Sequence, residues 1–385
     1  MAAAIVKGMS QVALVRCEQY ELDRVRASVR RSVDLLGGMR RYVTPGARVL
    51  IKPNLLQASA PAEAIVTHPA VVQATIELVQ EAGGRVTIGD SPIGPFMKSR
   101  LRRVYEASGM KEVAQTTGAA LNFDTEAMTQ AHPSGYLIKR LEVGRYAVET
   151  DVVISLSKLK THGFMRFTGA IKNLFGVIPG TIKTGYHAKL VTAERFATML
   201  LDVTDFVRPA LHIMDAVVGM DGDGPSAGRP FPIGVILAST DGVALDLAAT
   251  ELVGIEPLSV PVLKVAAQLG LTSGRLQDIQ LVGDAFDEAR VTGFRPAKSG
   301  LEVSAIPTQV RAMGIRLLVV NPQVTPACIG CGMCAENCPV QAIRIEDRRA
   351  RIDLATCIRC YCCHELCPEH AIELRQPWLG RVFMR

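Results

Sequence analysis

The sequence predicts an α/β fold, with a mostly parallel sheet carrying helices on both faces and a small α+β unit following at the C-terminal end. Three observations carry that expectation. Short apolar runs alternate with amphipathic stretches along most of the chain; 48% of its 385 residues are hydrophobic against 21% charged; and nine of its ten cysteines crowd between Cys328 and Cys367. A chain this long exceeds what one hydrophobic core normally serves, so one large and one small folding unit are expected. The composition is that of a packed globule, not of a disordered or fibrous chain.

After an N-terminal lead without a clear period, GARVLIKPN reads as a buried strand, PAVVQATIELVQEAGG as a helix closed by glycines, and GRVTIGDSP as a second strand. That is a β-α-β unit. A helix across Phe96 to Thr117, strands near Leu121 and Ile138, and an apolar strand from Asp151 to Ser157 continue the pattern. Strands at Leu211 to Met214 and Gly234 to Ser239, with helices at Ala193 to Val207 and Val243 to Val253, complete it. Strands alternating with helices imply a mostly parallel sheet covered on both faces. The run GIRLLVV ends at NPQVTP, where Pro322 and Pro326 mark a boundary near residue 322. The expected division is therefore 1–321, 322–375 and a basic, aromatic tail at 376–385 that either covers the small unit or docks back on the large one.

No apolar stretch reaches the roughly 18 residues a membrane span needs. The first residues lack an apolar core followed by a cleavage site. A cytoplasmic protein without a membrane span is expected.

Cysteine crowding of this kind points to metal and not to disulfides. Cys328, Cys331, Cys334 and Cys338 are followed by Pro339, and Cys357, Cys360, Cys363 and Cys367 by Pro368, so each run reads C-x2-C-x2-C-x3-C-P. Three closely spaced thiolates wrap one face of a 4Fe-4S cubane, and the fourth, carried off by the following turn, reaches the other cluster. The expected ligand sets are Cys328, Cys331, Cys334 and Cys367 for one cluster, and Cys357, Cys360, Cys363 and Cys338 for the other. Four-cysteine zinc sites also use C-x2-C pairs, but the duplicated run of four, each closed by proline, favours clusters. Cys362 is left over and reads as a bystander thiol; Cys17 reads as a small buried hydrophobe.

The formal charge of +6 treats cysteines as neutral, whereas two oxidised clusters with their thiolates, about −2 each, bring the protein to roughly +2. Nucleic-acid binding finds no support, since no RNA-binding aromatic motif accompanies the charge.

Ligands of open parallel sheets bind beyond the carboxyl ends of the strands. There the sequence places Lys52-Pro53-Asn54, Gly89-Asp90-Ser91-Pro92, Lys158-Leu159-Lys160-Thr161-His162, and Asp215 with Gly219 to Pro225. The span Val152 to Ala193 holds no Asp or Glu but contains Lys158, Lys160, Arg166, Lys172, Lys183, Lys189, His162 and His187, which marks an anion-binding surface. Lys158 and Lys160 are the candidate anion binders and His162 the candidate proton carrier, with its neutral form favoured beside lysines. Asp90, Asp215 and Asp221 are candidates to orient a substrate or, with Asp223, a divalent ion; turn formation is the alternative for them. GAIKNLFGVIPG can open a short helix whose first amides hold an anion. No Walker A run, strand-linked G-x-G-x-x-G or G-x-S-x-G elbow is present.

The C-terminal cysteine runs, with the half-repeats AENCPVQAI and HELCPEHAI, resemble bacterial-type ferredoxins carrying two 4Fe-4S clusters, over about residues 322 to 375. That resemblance implies clusters within electron-tunnelling reach of each other. KPN, GDSP, KLKTHGF with TGAIKNLFGVIPG, DAVVGMDGDGP and VALD resemble the domain of unknown function 362 family, over most of residues 45 to 255. The family name implies an architecture and no reaction. The expectation is an iron-sulfur redox protein, an oxidoreductase in one reading, that passes electrons to or from a small anionic substrate or cofactor at the basic rim. Its alternatives are an electron-carrier or adaptor subunit docking a redox partner protein, and an anion-binding domain whose clusters are structural or regulatory.

Overall fold

The computed structural model describes residues 9–297 and 320–375. Its large sheet is built from β1 (Gln11–Arg16), β2 (Arg48–Pro53), β3 (Arg85–Ile88) and β4 (Ala120–Leu121); a hairpin of β5 (Ala127–Ala131) and β6 (Arg140–Gly144) lies apart from it. The remaining strands are β7 (Val152–His162), β8 (Arg166–Thr168), β9 (Leu211–Asp221), β10 (Arg229–Ser239) and β11 (Gln280–Gly283). The order is β11-β1-β10-β9-β7-β2-β3-β4, with β8 folded back on β7. Pairs from β9 through β4 run parallel, as does β1 with β11, while β10 is antiparallel to both of its neighbours.

Alternation along the strands sends successive side chains to opposite faces. Val12 and Leu14 therefore join one apolar layer and Ala13 the other. Helices Ala193–Val207, Gly242–Leu252 and Pro261–Gln268 cover the first layer; helices Leu22–Asp34, Pro69–Glu81 and Lys98–Ala107 cover the second. Local chemistry sets several of their starts. Pro69 occupies a first-turn position that needs no N–H, with the His68 side chain accepting from Ala70 N, and Asp241 caps Gly242–Leu252 by accepting from Val243 N and Ala244 N.

The small unit pairs β12 (Asn321–Val324) with β15 (Ile372–Arg375) and β13 (Ile343–Glu346) with β14 (Arg349–Ile352), both antiparallel. Cys334, Ile343, Ala350 and Ile372 form its core. Among the described residues no helix is long and apolar enough to cross a membrane.

Several expectations change. The helix expected over Phe96 to Thr117 is two, Lys98–Ala107 and Met110–Thr117, broken where Gly109 takes a φ of 75°. Ile138 lies between strands, and the N-terminal lead supplies β1 and helix Leu22–Asp34. Most of GIRLLVV and the tail 376–385 lie outside the described residues. The largest change concerns β7 and β9, which do not stop at Ser157 and Met214 but continue to His162 and Asp221. Polar residues expected on loops are thus strand residues, and Lys158, Lys160, His162, Asp215 and Asp221 are all fully buried.

At the centre of the sheet, Lys158 Nζ lies 2.9 Å from Asp215 Oδ2 and donates to Tyr20 Oη at 2.7 Å, while Tyr20 donates to Asp215 Oδ1 at 2.8 Å. His68 stacks on Tyr20 with ring centroids 3.6 Å apart, and its N–H reaches Asp215 Oδ2 at 2.9 Å. Removing one partner of a buried pair strands the other charge, so Asp215→Ala is expected to lose about 3–5 kcal/mol of stability. Thermal unfolding of anaerobically prepared Asp215→Ala and Lys158→Met/Asp215→Leu should show the double variant recovering most of the loss. An Asp215→Ala protein as stable as the parent contradicts this reading.

Candidate functional site

The six candidate side chains of the α/β unit divide among three places. Lys158 and Asp215 belong to the buried knot just described. Asp221 pairs with Arg229 Nη2 at 2.8 Å and accepts from Arg295 N at 3.2 Å. These carboxylates are held by the partners just named, and among the described residues they do not gather into a group of three that could hold a divalent ion. Asp90 and Lys160 line a cavity, and His162 stands behind its wall.

That cavity, about 70 Å³, lies where the polar ends of β2, β3 and β7 meet the small unit. Asp90 is paired with Lys52 at 2.8 Å, and its two oxygens also accept from Leu55 N and Ser91 N. Gly176 closes over this pair, where a β-carbon would sit 2.0 Å from Asp90 Oδ1. Lys160 Nζ donates to Asn54 Oδ1 at 2.9 Å and Ile65 O at 2.7 Å, so its partners are neutral. Burial, then the Lys172 ammonium, drives the Lys160 pKa well down.

Lys172 makes no hydrogen bond or ion pair to a described residue; burial lowers its pKa, and the field of Glu365 opposes that. Lys183 donates to Ser91 O, and burial brings it to about 7. His187 stacks on Phe196 at 4.3 Å between centroids, and burial holds it neutral with a pKa of about 3. Its Nδ1 and Thr168 Oγ1 are buried without a hydrogen-bond partner, and both residues line the cavity.

The expected anion site at the start of GAIKN is closed. Helix Ala170–Asn173 is a single turn, and its first amides, Ala170 N and Ile171 N, are held by the Asp246 carboxylate.

The opposite wall comes from the small unit through Asn337, Cys362, Glu365 and Leu366. His162 Nδ1 accepts from Phe164 N and Met165 N, which leaves the proton on Nε2, 3.1 Å from Glu365 Oε1. Burial pushes His162 down to about 4; burial alone would raise Glu365, but His162 and Lys172 hold it below the usual carboxylate range. The Gly-Asp loop read as a metal candidate is the seat of the helix Cys362–Leu366. Asp223 O meets His364 Nε2 at 3.2 Å, Glu365 O accepts from Ser226 Oγ, and Gly224 packs so tightly on Thr161 that a β-carbon would meet its carbonyl at 2.3 Å.

The thiols fit the cofactor that their spacing implies. None is in a disulfide. Cys328, Cys331, Cys334 and Cys367 surround one small apolar cavity. Burial, then the neighbouring Cys331, Cys367 and Cys328, pushes Cys334 up to about 11. Cys363 is likewise raised by burial and then by Cys360, Cys357, Cys334 and Cys338. Crowded thiols are costly to ionise together unless a cationic body lies between them. Backbone amides already aim at four of the sulfurs: Ala350 N at Cys328, Ala342 N at Cys338, Arg359 N at Cys357 and Ala371 N at Cys367, at 3.2–3.4 Å.

Sequence reasoning placed Lys172, Lys183 and His187 in the acid-free stretch without assigning them to a cavity. It missed Tyr20, His68, Thr168 and Glu365, for which no local signal exists.

Comparison with known proteins agrees with this layout. The domain of unknown function DUF362 matches residues 49–251, and a 4Fe-4S dicluster domain matches residues 327–371. A thylakoid-associated protein of Synechocystis sp. is 35% identical over 270 residues, 68% of this chain and 80% of that protein. Among solved structures, the lactate racemase apoprotein of Thermoanaerobacterium thermosaccharolyticum superposes with a TM-score of 0.40 and 13% identity, over 63% of this chain and 57% of that one. A Thermotoga maritima crystal structure gives 0.38 and 11%, over 66% and 60%. In both cases the chain spans less than two thirds of the neighbour.

Glu365→Ala removes the carboxylate that meets His162 across the interface. Amide exchange is expected to rise by about tenfold or more in both the helix Cys362–Leu366 and the loop 221–226, the loss of roughly 1.5–3 kcal/mol of a charged contact. Unchanged exchange at full iron content would show that the contact does not hold the units together.

Proposed function

We propose, for a chain that belongs to the DUF362 family and carries a 4Fe-4S dicluster domain, that it is an iron-sulfur redox protein whose two clusters exchange electrons with a small anion held in the cavity between the units. The division into an α/β domain at 1–321 and a ferredoxin-like domain at 322–375 is part of the proposal, as are the two ligand sets named from the spacing. Bound clusters supply single electrons at low cost in rearrangement. The chain's own residues supply the rest.

The observation that carries this reading is the composition of the cavity wall. Lys160, Lys172 and Lys183 face it from the sheet side, Asp90 is already neutralised by Lys52, and among the described residues Glu365 is the one further carboxylate lining it. Lys160 is buried and Lys172 and Lys183 are partly so, which disfavours their charged forms, and a bound anion restores them. The volume holds about five waters, which suits a small oxyanion or short carboxylate. Lys160 and Lys172 are assigned to bind the anion, and Lys183 to move a proton, a role that passes to it from His162 because His162 does not line the cavity. Asn54 orients Lys160, and Asn173 in turn accepts from Asn54 and from Lys52. Asn337 and Leu366 each precede a cluster cysteine, so a ligand in the cavity lies against the cluster-bearing backbone.

A base whose pKa is lowered to about 7 is charged below that pH and neutral above it, so anion affinity should fall as pH rises through about 7. The test uses anaerobically purified protein with about eight irons and eight sulfides. Calorimetric titration with sulfate, whose charge is constant over this range, should show tighter binding at pH 6 than at pH 8, at least about tenfold weaker binding in Lys172→Gln, and loss of the pH step in Lys183→Gln. Stoichiometric zinc without sulfide, or sulfate binding indifferent to both substitutions, rejects the proposal.

A further inference from the structure

Asp246, carried by the helix Gly242–Leu252 and 4% exposed, is a carboxylate buried inside the α/β unit. Its two oxygens accept from neutral donors, the successive amides of Ala170 at 2.5 Å and Ile171 at 3.1 Å, which lie 76 and 75 residues away in sequence. Gly169, just before them, packs so closely that a β-carbon there would sit 2.0 Å from Asp246 Oδ1. A carboxylate drawn out of water to meet amides alone is a costly way to hold backbone. What it holds is one turn, Ala170–Asn173, which is far too short to persist by its own hydrogen bonds.

Two of the four residues of that turn, Lys172 and Asn173, line the cavity. Asn173 is tied down by its own side chain, which accepts from Lys52 Nζ at 3.2 Å and donates to Ser155 Oγ at 2.9 Å. Lys172 has no such tie to a described residue, so its place in the wall follows from the backbone of the turn.

We infer that Asp246 is a positioning residue for the anion site: by holding Ala170 N and Ile171 N it fixes the turn that presents Lys172 to the cavity. This rests on the function proposed above.

Amide bonds to a carboxylate are stronger than those to a neutral acceptor. Here they fall on the two residues immediately before Lys172, which fixes the rotation of the turn and with it the direction in which the lysine leaves the backbone. An untethered lysine on a loose turn would have to be ordered by the anion itself, and that ordering weakens binding. Asp246 is not among the residues that line the cavity, so it acts on an anion only through the turn. A cap that served stability alone would show no preference for Lys172 over Lys183, which stands on a separate helix, Ile182–Lys189, and is tied to Ser91 O.

The test is calorimetric titration with sulfate of the anaerobically purified holoprotein, parent and variants compared at full iron content. Asp246→Asn keeps one acceptor and turns an NH2 group toward the second amide. Gly169→Ala displaces the carboxylate without removing it, and decides the matter where the first variant does not fold. Each should weaken sulfate binding about tenfold. Made in a Lys172→Gln background, the same change should weaken it less than about twofold, and in a Lys183→Gln background by the full factor. Unchanged affinity in the single variants, or equal losses in the two backgrounds, overturns the inference while leaving the anion site standing. Absence of sulfate binding by the parent rejects the functional reading and the inference with it.

Discussion

Three lysines gathered between the sheet's rim and the cysteine-rich unit, each with its charged form disfavoured by burial, are the constraint around which this molecule is arranged. Lys158 is matched by Asp215 and Lys52 by Asp90, each in a closed set of hydrogen bonds. Lys160 and Lys172 are not matched in this way, and Glu365, the carboxylate offered by the small unit, also faces His162. An ammonium drawn out of water without a counter-ion tends to give up its proton, as the lowered pKa values of Lys160 and Lys172 reflect, and an anion placed beside it restores the charged form. A cavity that takes up an anion is what the geometry supplies.

The same constraint explains how the units fit together. Either side alone would leave its charged groups open to water, the lysines on the sheet side and Glu365 on the thiol unit. Docked, the helix Cys362–Leu366 sits on the loop after β9, His162 meets Glu365, and the cavity acquires its second wall. Gly176 and Gly224 are required by close approach at these points, one over the Lys52–Asp90 pair and the other against Thr161.

Much of this was legible in the sequence, and the rest was hidden for physical reasons. The cysteines of each run lie three or four positions apart, so their pattern is local and survives without a structure. Asp90 and Lys160 were singled out because polar residues after an apolar run mark a strand end, and both line the cavity. That logic misplaced Lys158, Asp215 and Asp221, because β7 and β9 continue through their polar residues and bury them. The burial is possible only because partners distant in sequence, Tyr20 and Asp215 for Lys158, meet the charge in the fold. Glu365 lies inside a cluster motif where nothing in the local pattern separates it from a solvent-facing glutamate.

The account stands or falls on what occupies the cavity. Anomalous diffraction from crystals of the anaerobic holoprotein soaked with selenate is the most direct measurement. A selenium peak within hydrogen-bond distance of Lys160, Lys172 and Lys183, on the cavity side of Cys362, is the predicted result. Full iron occupancy at both thiol quartets with no selenium in the cavity would contradict the claim that this interface is an anion site.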